Sequence, residues 1–461
     1  MEPINARTQE LAILLKSAFN ALHAASIRYC VLRNYEELPN YTTHDVDLLV
    51  QRGELARTME VIKETICNCG WTNVAEVLQM GTYSLYCMRA DDGAVQCMTF
   101  DIVDDLPWGW MPTCDVEYVL SETIDYHGLS VVRPGVDAAV RLIKELLRGT
   151  LPKEYAREKI CLGANFDPIG FARCLTNAFP ESSITNMLDY ARNSKLEELF
   201  EQHIQFRREL ILKLHRSQSL IMLWRLICYG ISRYRRFSRG SLGLFVVLLG
   251  PDGAGKTSLC DGLASRLGKL LFKGTLRYHM QFNLIPKLSR VTKLVGYKAE
   301  EIDFTQKHSG SSVKPHSPWR SLLYVAYYSL DFLLGHLRLR KEKGLGRLIL
   351  FDRYFYDFYF QRRNSRLPTF VLDLFQRIVP KPDLVLLLKA DPEIIYARKP
   401  ELDLDEIRMQ LAKAEQLGNV LASSILVRRV RTDCGIDNAC DQVERAVFEA
   451  LTFKKGVLVS R

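Results

Sequence analysis

The stretch LLGPDGAGKTSL, Leu248–Leu259, fits a phosphate-binding loop at every constrained position. The apolar run LFVVLL leads into it and the helical segment SLCDGLASRLG follows it. The pattern therefore predicts a buried strand, a glycine-rich turn and a helix, in that order. Glycines free the main chain to wrap around an anion, and amides at the helix N-terminus point donors at it. This stretch predicts a site for the phosphates of a nucleotide.

The residues of this loop have separate expected roles. Lys256 would neutralise charge between the two outer phosphates, and the hydroxyl of Thr257 would bind Mg²⁺. The residues expected to contact the nucleotide, ATP, are Gly250, Pro251, Gly253, Ala254, Gly255, Lys256, Thr257 and Ser258. The alternative is a chance glycine turn before a helix. Nucleotide binding alone does not distinguish a kinase from a GTPase, a motor or a switch, so neighbouring residues must decide.

The segment LILFDRYFYDF carries the next signal. Asp352 and Arg353 stand at the end of an apolar run that predicts a parallel strand, and such sheets bind ligands at the carboxyl ends of their strands. The carboxylate of Asp352 could hold the water shell of Mg²⁺. The guanidinium of Arg353 could bind the phosphate of an acceptor with two hydrogen bonds. The alternative is a surface ion pair at a strand end.

The stretches GPDGAGKTS, FDRY and ARKPELDLDEI together resemble the thymidylate kinase family of P-loop kinases, over about Leu242–Leu451. The resemblance implies an ATP-dependent and Mg²⁺-requiring phosphoryl transfer. It places Asp252 near the acceptor's sugar and Arg353 on the acceptor's phosphate. It also implies a mobile lid, with Arg398 and Lys399 directed at the transferring phosphoryl group.

The segment assigned to the lid, Ala397–Ile407, is short. Its two cations could equally stand at a helix start beside Pro400. In a lid, they and Lys256 would stabilise the charge spread over the moving phosphoryl group. Phosphoryl transfer needs alignment and charge neutralisation, so no side-chain nucleophile is required.

Three segments depart from the housekeeping members of that family: RYHMQFNLIPKL, PHSPWRSLLYVAYYSLDFLLGHLRLR and YDFYFQRRNSRLP. They look more like the thymidylate kinase-like proteins that occur with surface-polysaccharide biosynthesis in bacteria. The expected acceptor is therefore a nucleoside monophosphate or a phosphorylated or glycan-related compound. A positively lined acceptor pocket would include His279, Arg320, Arg362 and Arg363, each of which could instead be a solvated surface residue.

A second group of acids lies near the N-terminus. In THDVDLLV, Asp45 and Asp47 lie two apart on a predicted strand and share one face, and Asp101 lies on another strand, in MTFDIV. Three such acids can hold two Mg²⁺ ions around a triphosphate. The region resembles the minimal nucleotidyltransferase fold over about Leu11–Val132, but Arg33-Asn34 stands where that family has its Gly-Ser loop. Nucleotide binding without chemistry, and plain exposed acids, are the alternatives.

The chain is expected to be α/β and to have three parts. Residues 1–135 form the nucleotidyltransferase-like α/β domain, residues 136–237 a helical middle with a basic linker, and residues 238–461 the kinase-like domain. Continuous apolar strands joined by helices, such as LFVVLL, RLILF, LVLLL and ILVRRVR, predict a P-loop NTPase parallel sheet with helices on both faces.

Composition limits the partners. The 461 residues carry a net charge of +9, which suits nucleotides or phosphorylated sugars, and no nucleic-acid-binding motif is present. Two apolar segments, Ser219–Ile231 and Ser321–Leu337, are short for a membrane span and interrupted by Arg225 and Asp331, so buried helices are expected. The arginines that follow the first segment, at 233, 235, 236 and 239, would rest on anionic lipid or form a solvated linker. Twelve scattered cysteines favour reduced thiols and a cytoplasmic location.

The leading hypothesis is a kinase with a nucleotidyltransferase-like domain in front of it. One alternative is a nucleotidyltransferase that acts through Asp45, Asp47 and Asp101, with the P-loop domain supplying or sensing nucleotide. Another is a nucleotide-gated assembly factor without enzymatic activity. Such a switch would have no use for Arg353 and the lid cations, whereas a kinase would. Dimerisation is left open.

Overall fold

The computed structural model describes residues 6–79, 82–91, 94–239, 243–267, 272–286, 317–359, 367–400 and 402–459. The chain divides into two compact units. The N-terminal unit comprises Met1–Arg89 and Gln96–Arg235, and the C-terminal unit comprises Ala90–Val95 and Arg236–Arg461. Arg362 and Arg363, expected in the acceptor pocket, lie outside the described residues, as do the side chains of Arg235, Arg236 and Arg239.

The N-terminal unit is mixed α/β. Its helices are α1 Ala6–Ala24, α2 Leu55–Asn68, α3 Val116–Ser121, α4 Pro134–Leu146, α5 Glu154–Phe166, α6 Pro168–Cys174, α7 Glu181–Arg192, α8 Leu196–Glu201 and α9 His203–Arg239, which continues past the unit's end. Its strands are β1 Tyr29–Val31, β2 Val46–Val50, β3 Thr72–Gln79, β4 Thr82–Asp91, β5 Ala94–Val103, β6 Pro107–Trp108, β7 Met111–Pro112, β8 Ile124–Tyr126 and β9 Leu129–Val131.

Within the described residues, seven of these strands form one sheet in the order β3-β4-β5-β2-β1-β9-β8. Strand β2 runs parallel to β5 and antiparallel to β1. One face of the sheet packs on α1 and α2 through side chains such as Leu14, Phe19 and Ile62. The other face shares a core with α3–α9, and this core includes Leu32, which follows β1, and Phe171 of α6. The helical middle and the front sheet are therefore built around common cores.

The C-terminal unit contains a parallel sheet. Its strands are β10 Leu244–Leu249, β11 Thr275–His279, β12 Leu348–Asp352, β13 Leu384–Lys389 and β14 Leu426–Arg431. Its helices are α10 Lys256–Arg266, α11 Pro318–Gly344, α12 Thr369–Gln376, α13 Pro392–Arg398, α14 Leu404–Leu421 and α15 Ile436–Val459, with a 3₁₀ turn at Phe355–Tyr359.

These strands are arranged in the order β11-β12-β10-β13-β14, and every adjacent pair is parallel. Phe245 and Val247 of β10 pack with α11 and α14 on one face. Side chains alternate along a strand, so their neighbours face the opposite side, where α10 and α15 contact the sheet. The predicted parallel sheet with helices on both faces is present. Because the strands are parallel, their C-terminal ends lie along one edge of the sheet, and the residues that follow β10, β12 and β13 are therefore close to one another.

The two apolar segments differ from expectation. Ser219–Ile231 lies within α9, but Leu220 is 83% exposed and Trp224 65% exposed, so the predicted burial is wrong for this segment. Arg225 donates hydrogen bonds to Asp105 and to the carbonyl of Trp110, so the face of α9 that carries it packs on the unit and the opposite face stays exposed. Across the described residues, no helix combines the length and apolarity needed to cross a bilayer.

The segment Ser321–Leu337 lies within α11 and is buried along one face only. Asp331 on that face is fully buried and accepts main-chain hydrogen bonds from Phe282 and Leu284, both at 2.7 Å, and from Ile285 at 3.2 Å. A buried carboxylate is stable when amide donors satisfy its oxygens. The acid that interrupts the apolar run therefore anchors the chain after β11.

Candidate functional site

The glycine-rich loop joins β10 to α10 at the carboxyl edge of the C-terminal sheet. Gly253 and Gly255 have φ angles of +88° and +87°, a conformation that favours glycine. A Cβ on Gly253 would lie 2.9 Å from the carbonyl oxygen of Ile395, so α13 packs closely on the loop. The first amides of α10 have no intrahelical acceptor and present donors to an anion. Thr257 and Ser258 are exposed in this first turn.

The other expected nucleotide contacts support the loop. Pro251 and Ala254 are buried, and the amide of Ala254 donates to the carbonyl of Pro251. Gly250 lies against Leu388 of β13, whose Cβ would be 3.2 Å from a Cβ at the glycine. These contacts hold the loop in its curved shape.

Lys256 is only 6% exposed although it begins a helix at the edge of the sheet. Its Nζ donates to the carbonyl oxygens of Gly250 and Pro251, both at 2.9 Å, and lies 3.4 Å from Oδ1 of Asp252. The ammonium group is thus held inside the loop, the position from which a lysine can neutralise bound phosphate.

Asp252 lies between two cations. Its carboxylate pairs with the guanidinium of Arg353 as well as with Lys256. Burial by itself would raise the pKa of Asp252, but Lys256, Arg353 and Lys399 hold it well below its usual range. Asp252 is therefore ionised at any physiological pH. The structure brings together the loop acid and the strand-end arginine that the sequence predicted separately.

Arg353 follows β12 with a φ angle of +63°, a strained conformation for a residue with a side chain. Its Nη1 lies 3.4 Å from Oδ2 of Asp357 in the 3₁₀ turn. Burial raises the pKa of Asp357, while Arg353 and Lys256 act in the opposite direction. Sequence reasoning missed Asp357. The signal available for it was its position four residues after Arg353, in the same short motif.

Asp352 ends β12 and is 4% exposed. Its Oδ2 lies 3.5 Å from Nδ1 of His279 and 3.8 Å from Nη2 of Arg277, which was not predicted. Burial would raise the pKa of Asp352, but the hydrogen bond from His279 and the charge of Lys256 lower it. Oδ1 is buried and has no hydrogen-bond partner in the described part of the chain. An ionised carboxylate with such an oxygen, together with the exposed hydroxyl of Thr257, fits the oxygen ligands that Mg²⁺ prefers.

The two lid cations lie beside the loop. Arg398 is the last residue of α13 and donates from Nη2 to the carbonyl of Thr432 at 2.8 Å. Lys399 follows, and its Cβ would be 3.2 Å from a Cβ on Gly253. The cation pair therefore stands at a helix end, not at a helix start. Arg320 lies exposed in the first turn of α11, and no described contact joins it to the loop.

The acids of the N-terminal unit also meet. Asp47 in β2 lies opposite Asp101 in β5, and Asp45 precedes β2. The guanidinium of Arg33 binds both oxygens of Asp47, Nε at 2.6 Å and Nη2 at 3.0 Å. Desolvation, then the charges of Asp101 and Asp47, raise the pKa of Asp45 to about 6. In the part of the chain that the structure describes, no three His, Cys, Asp or Glu side chains form a group that could hold a metal ion.

A cavity of about 650 Å³ opens beside these acids. Arg33, Asp47 and Asp101 line it together with Trp108 and Lys144. Burial and the charges of Arg33 and Arg148 lower the pKa of Lys144. Sequence reasoning named neither Lys144 nor Arg148; their four-residue spacing in DAAVRLIKELLRG puts both on one face of α4 and its continuation.

Two solved thymidylate kinases match the chain in structure. The enzyme from Ehrlichia chaffeensis is 14% identical, and the match covers 44% of this chain and 96% of that chain with a TM-score of 0.29. The enzyme from Candida albicans is 19% identical, with 46% of this chain and 92% of that chain covered and a TM-score of 0.30. Similarity at this level carries no argument about activity. No protein-family model and no curated protein matches the chain.

Proposed function

We propose that the C-terminal unit is an ATP-dependent, Mg²⁺-requiring phosphotransferase built on the thymidylate kinase plan. Its acceptor would be a nucleoside monophosphate or a phosphorylated or glycan-related compound. One observation carries the proposal: Lys256 and Arg353 both contact Asp252 at the glycine-rich loop, and Lys399 lies beside them. A nucleotide switch needs the loop lysine. A second cation, the partly buried guanidinium of Arg353 on the same carboxylate, suits an enzyme that also binds an anionic acceptor.

The residues of the chain would divide the work as follows. The amides of the loop and of α10 bind the donor's phosphates, and Lys256 neutralises part of their charge. Arg353 binds the acceptor's phosphate, and Asp252 orients its guanidinium. Arg398 and Lys399, at the end of α13, stabilise charge on the phosphoryl group in transfer. ATP would supply that group, and Mg²⁺, held by Thr257 and through water by Asp352, would offset the charge of the phosphates.

The test is a turnover assay with ATP, Mg²⁺ and a panel of nucleoside monophosphates and phosphorylated sugars. The wild type, Lys256→Ala and the double variant Asp45→Ala/Asp47→Ala are compared by ADP release and by product mass. We expect Lys256→Ala to lose about 100-fold or more in turnover, because the loop loses its only ammonium group, while the double variant stays near wild type. Turnover that survives Lys256→Ala but is lost in the double variant would refute the kinase proposal.

Nucleotidyl transfer by the N-terminal unit is the second candidate. The register that sets Asp47 opposite Asp101, with Asp45 nearby, favours it. The bond between Arg33 and Asp47 opposes it, because that chemistry needs the carboxylates on divalent ions. In the same assay, release of pyrophosphate that the double variant abolishes would support this candidate.

A further inference from the structure

Two oppositely charged groups face the cavity of the N-terminal unit. The acids are Asp47, Asp101, Asp105 and Asp137, and the bases are Arg33, Arg141, Lys144 and Arg148. Asp105 pairs with Arg225 and Asp137 with Arg141, which leaves Asp47 and Asp101 opposite Arg33, Lys144 and Arg148. Sequence resemblance implies that the acids hold Mg²⁺, but their contacts disagree. Arg33 occupies both carboxylate oxygens of Asp47 through a forked pair of hydrogen bonds. Each oxygen keeps a second lone pair, but the positive charge of the guanidinium on this carboxylate repels a divalent cation.

The basic residues on α4 and its continuation are not equivalent. Arg141 is neutralised by Asp137, with Nε 2.7 Å from Oδ1. Lys144 is partly buried one turn further on, and among the described residues it forms no ion pair. Its charged neighbours are two cations, Arg33 and Arg148, and the carboxylates Asp47 and Glu145 with which those cations pair. A partly buried ammonium beside two guanidinium groups is stabilised by a bound anion, and a phosphate could contact all of them.

The remaining wall of the cavity is apolar and aromatic. Trp108 and Trp110 lie on the hairpin β6–β7, and Leu106, Met111 and Ile143 continue the surface. The guanidinium of Arg207 lies 5.3 Å from the ring of Trp108 and helps to fix its position. A volume of about 650 Å³ with one basic end and one aromatic wall suits a ligand that has a phosphate at one end and a flat ring at the other.

We propose that this cavity binds a nucleotide-like phosphorylated ligand without a divalent metal ion. The phosphate lies on Lys144, Arg148 and Arg33, and the ring lies against Trp108. Arg33 takes the place that a metal ion would have on Asp47, so the cavity is a binding site rather than a nucleotidyl-transfer site. This inference does not depend on phosphoryl transfer in the C-terminal unit.

The experiment titrates the full chain with ADP and follows tryptophan fluorescence and heat. Lys256→Ala serves as the background, because it weakens binding at the glycine-rich loop, and each titration is run with excess Mg²⁺ and with EDTA. We expect ADP binding that changes by less than about twofold between the two conditions. Lys144→Gln and Arg148→Gln should each weaken it about tenfold, the cost of one charged hydrogen bond. Arg157→Gln, which changes an arginine outside the cavity, should leave it unchanged.

Two results would overturn the proposal. One is binding that requires Mg²⁺ and is lost in Asp101→Asn, which would restore the metal site. The other is binding that Lys144→Gln and Arg148→Gln leave intact. Inorganic pyrophosphate is the second probe, and it should bind at least about tenfold more weakly than ADP because it has no ring. Arg33→Gln is compared last, after a melting curve shows that it folds, because it leaves Asp47 buried without a partner.

Discussion

Each unit contains an ion pair between an arginine and an aspartate, with further acids nearby, yet the pKa values of the acids shift in opposite directions in the two units. In the C-terminal unit, Lys256, Arg353 and Lys399 surround Asp252 and hold its pKa well below the usual range, against the effect of burial. In the N-terminal unit, Arg33 is committed to Asp47, and the pKa of Asp45 rises to about 6. The residue types are similar. The number of cations that reach each carboxylate differs.

The main chain differs as well. The C-terminal site rests on a loop whose glycines adopt left-handed angles, so amides and a helix N-terminus provide donors for an anion. In the N-terminal unit, β1 continues into Arg33 and Asn34, and side chains must provide every charge. Acidic clusters of similar composition therefore need not share a function, because the surrounding cations decide whether a metal ion or an anion is attracted.

The largest expected effect concerns Arg353. Replacing it with glutamine, Arg353→Gln, should lower the rate of phosphotransfer about 100-fold or more. The phosphate of the acceptor would lose the guanidinium that binds it, and Asp252 would lose an ion-pair partner. Arg377→Gln is the matched control, since Arg377 is exposed after α12. Steady-state kinetics measure the change. Equal activity of both variants would show that the pair of Arg353 and Asp252 is structural only and would contradict the acceptor-binding role of Arg353.

The next effect concerns the loop. Gly253→Ala should weaken ATP binding about tenfold and cost roughly 1–3 kcal/mol of stability, because the new Cβ meets the carbonyl of Ile395 in a strained conformation. Gly435→Ala is the control, since Gly435 has a φ angle of +91° but no atom within 4 Å of an added Cβ. Calorimetry and thermal melts separate the two costs. If both variants lost the same ATP affinity and the same stability, backbone strain alone would explain the effect, and the packing of α13 on the loop would not contribute.

The smallest effect is the pH dependence of Asp45. Its folded pKa of about 6 exceeds the unfolded value near 4, so the native state holds the extra proton in this window and stability falls as pH rises through it. Asp45→Asn removes that penalty. At pH 7 it should be more stable by about 1 kcal/mol after allowance for solvent screening, and at pH 4 it should equal the wild type.

Asp252 should show the opposite sign. Its depressed pKa contributes stability above the unfolded value near 4, and that contribution is lost as pH falls, so Asp252→Asn should be less stable at pH 7. Melts followed by tryptophan fluorescence report mainly on the N-terminal unit, which contains four of the five tryptophans. The Asp252 melts therefore need circular dichroism. If both variants changed the stability at pH 7 in the same direction, the pKa values of Asp45 and Asp252 would not be shifted in opposite directions.

Sequence reasoning located β10, β12 and β13, because a strand buried on both faces needs a continuous apolar run. It also located β14, Leu426–Arg431, although the three arginines of that strand are exposed. It missed β11, Thr275–His279, whose side chains are half-buried or exposed at the sheet edge. Arg277 was missed with it. The exposure of α9 was also mispredicted, since an apolar run does not tell which of its faces other elements will cover.

The sequence by itself determined the glycine loop, its lysine and the acid–arginine pair at the end of β12, because each depends on neighbours within a few residues. Only the tertiary structure decided that Arg353 reaches Asp252, that Asp357 lies beneath it and that Lys399 packs on the loop. It also decided that Arg33 covers Asp47. These contacts join segments that are distant in sequence, or depend on one left-handed residue, and charge–charge distances in three dimensions set the chemistry of a carboxylate.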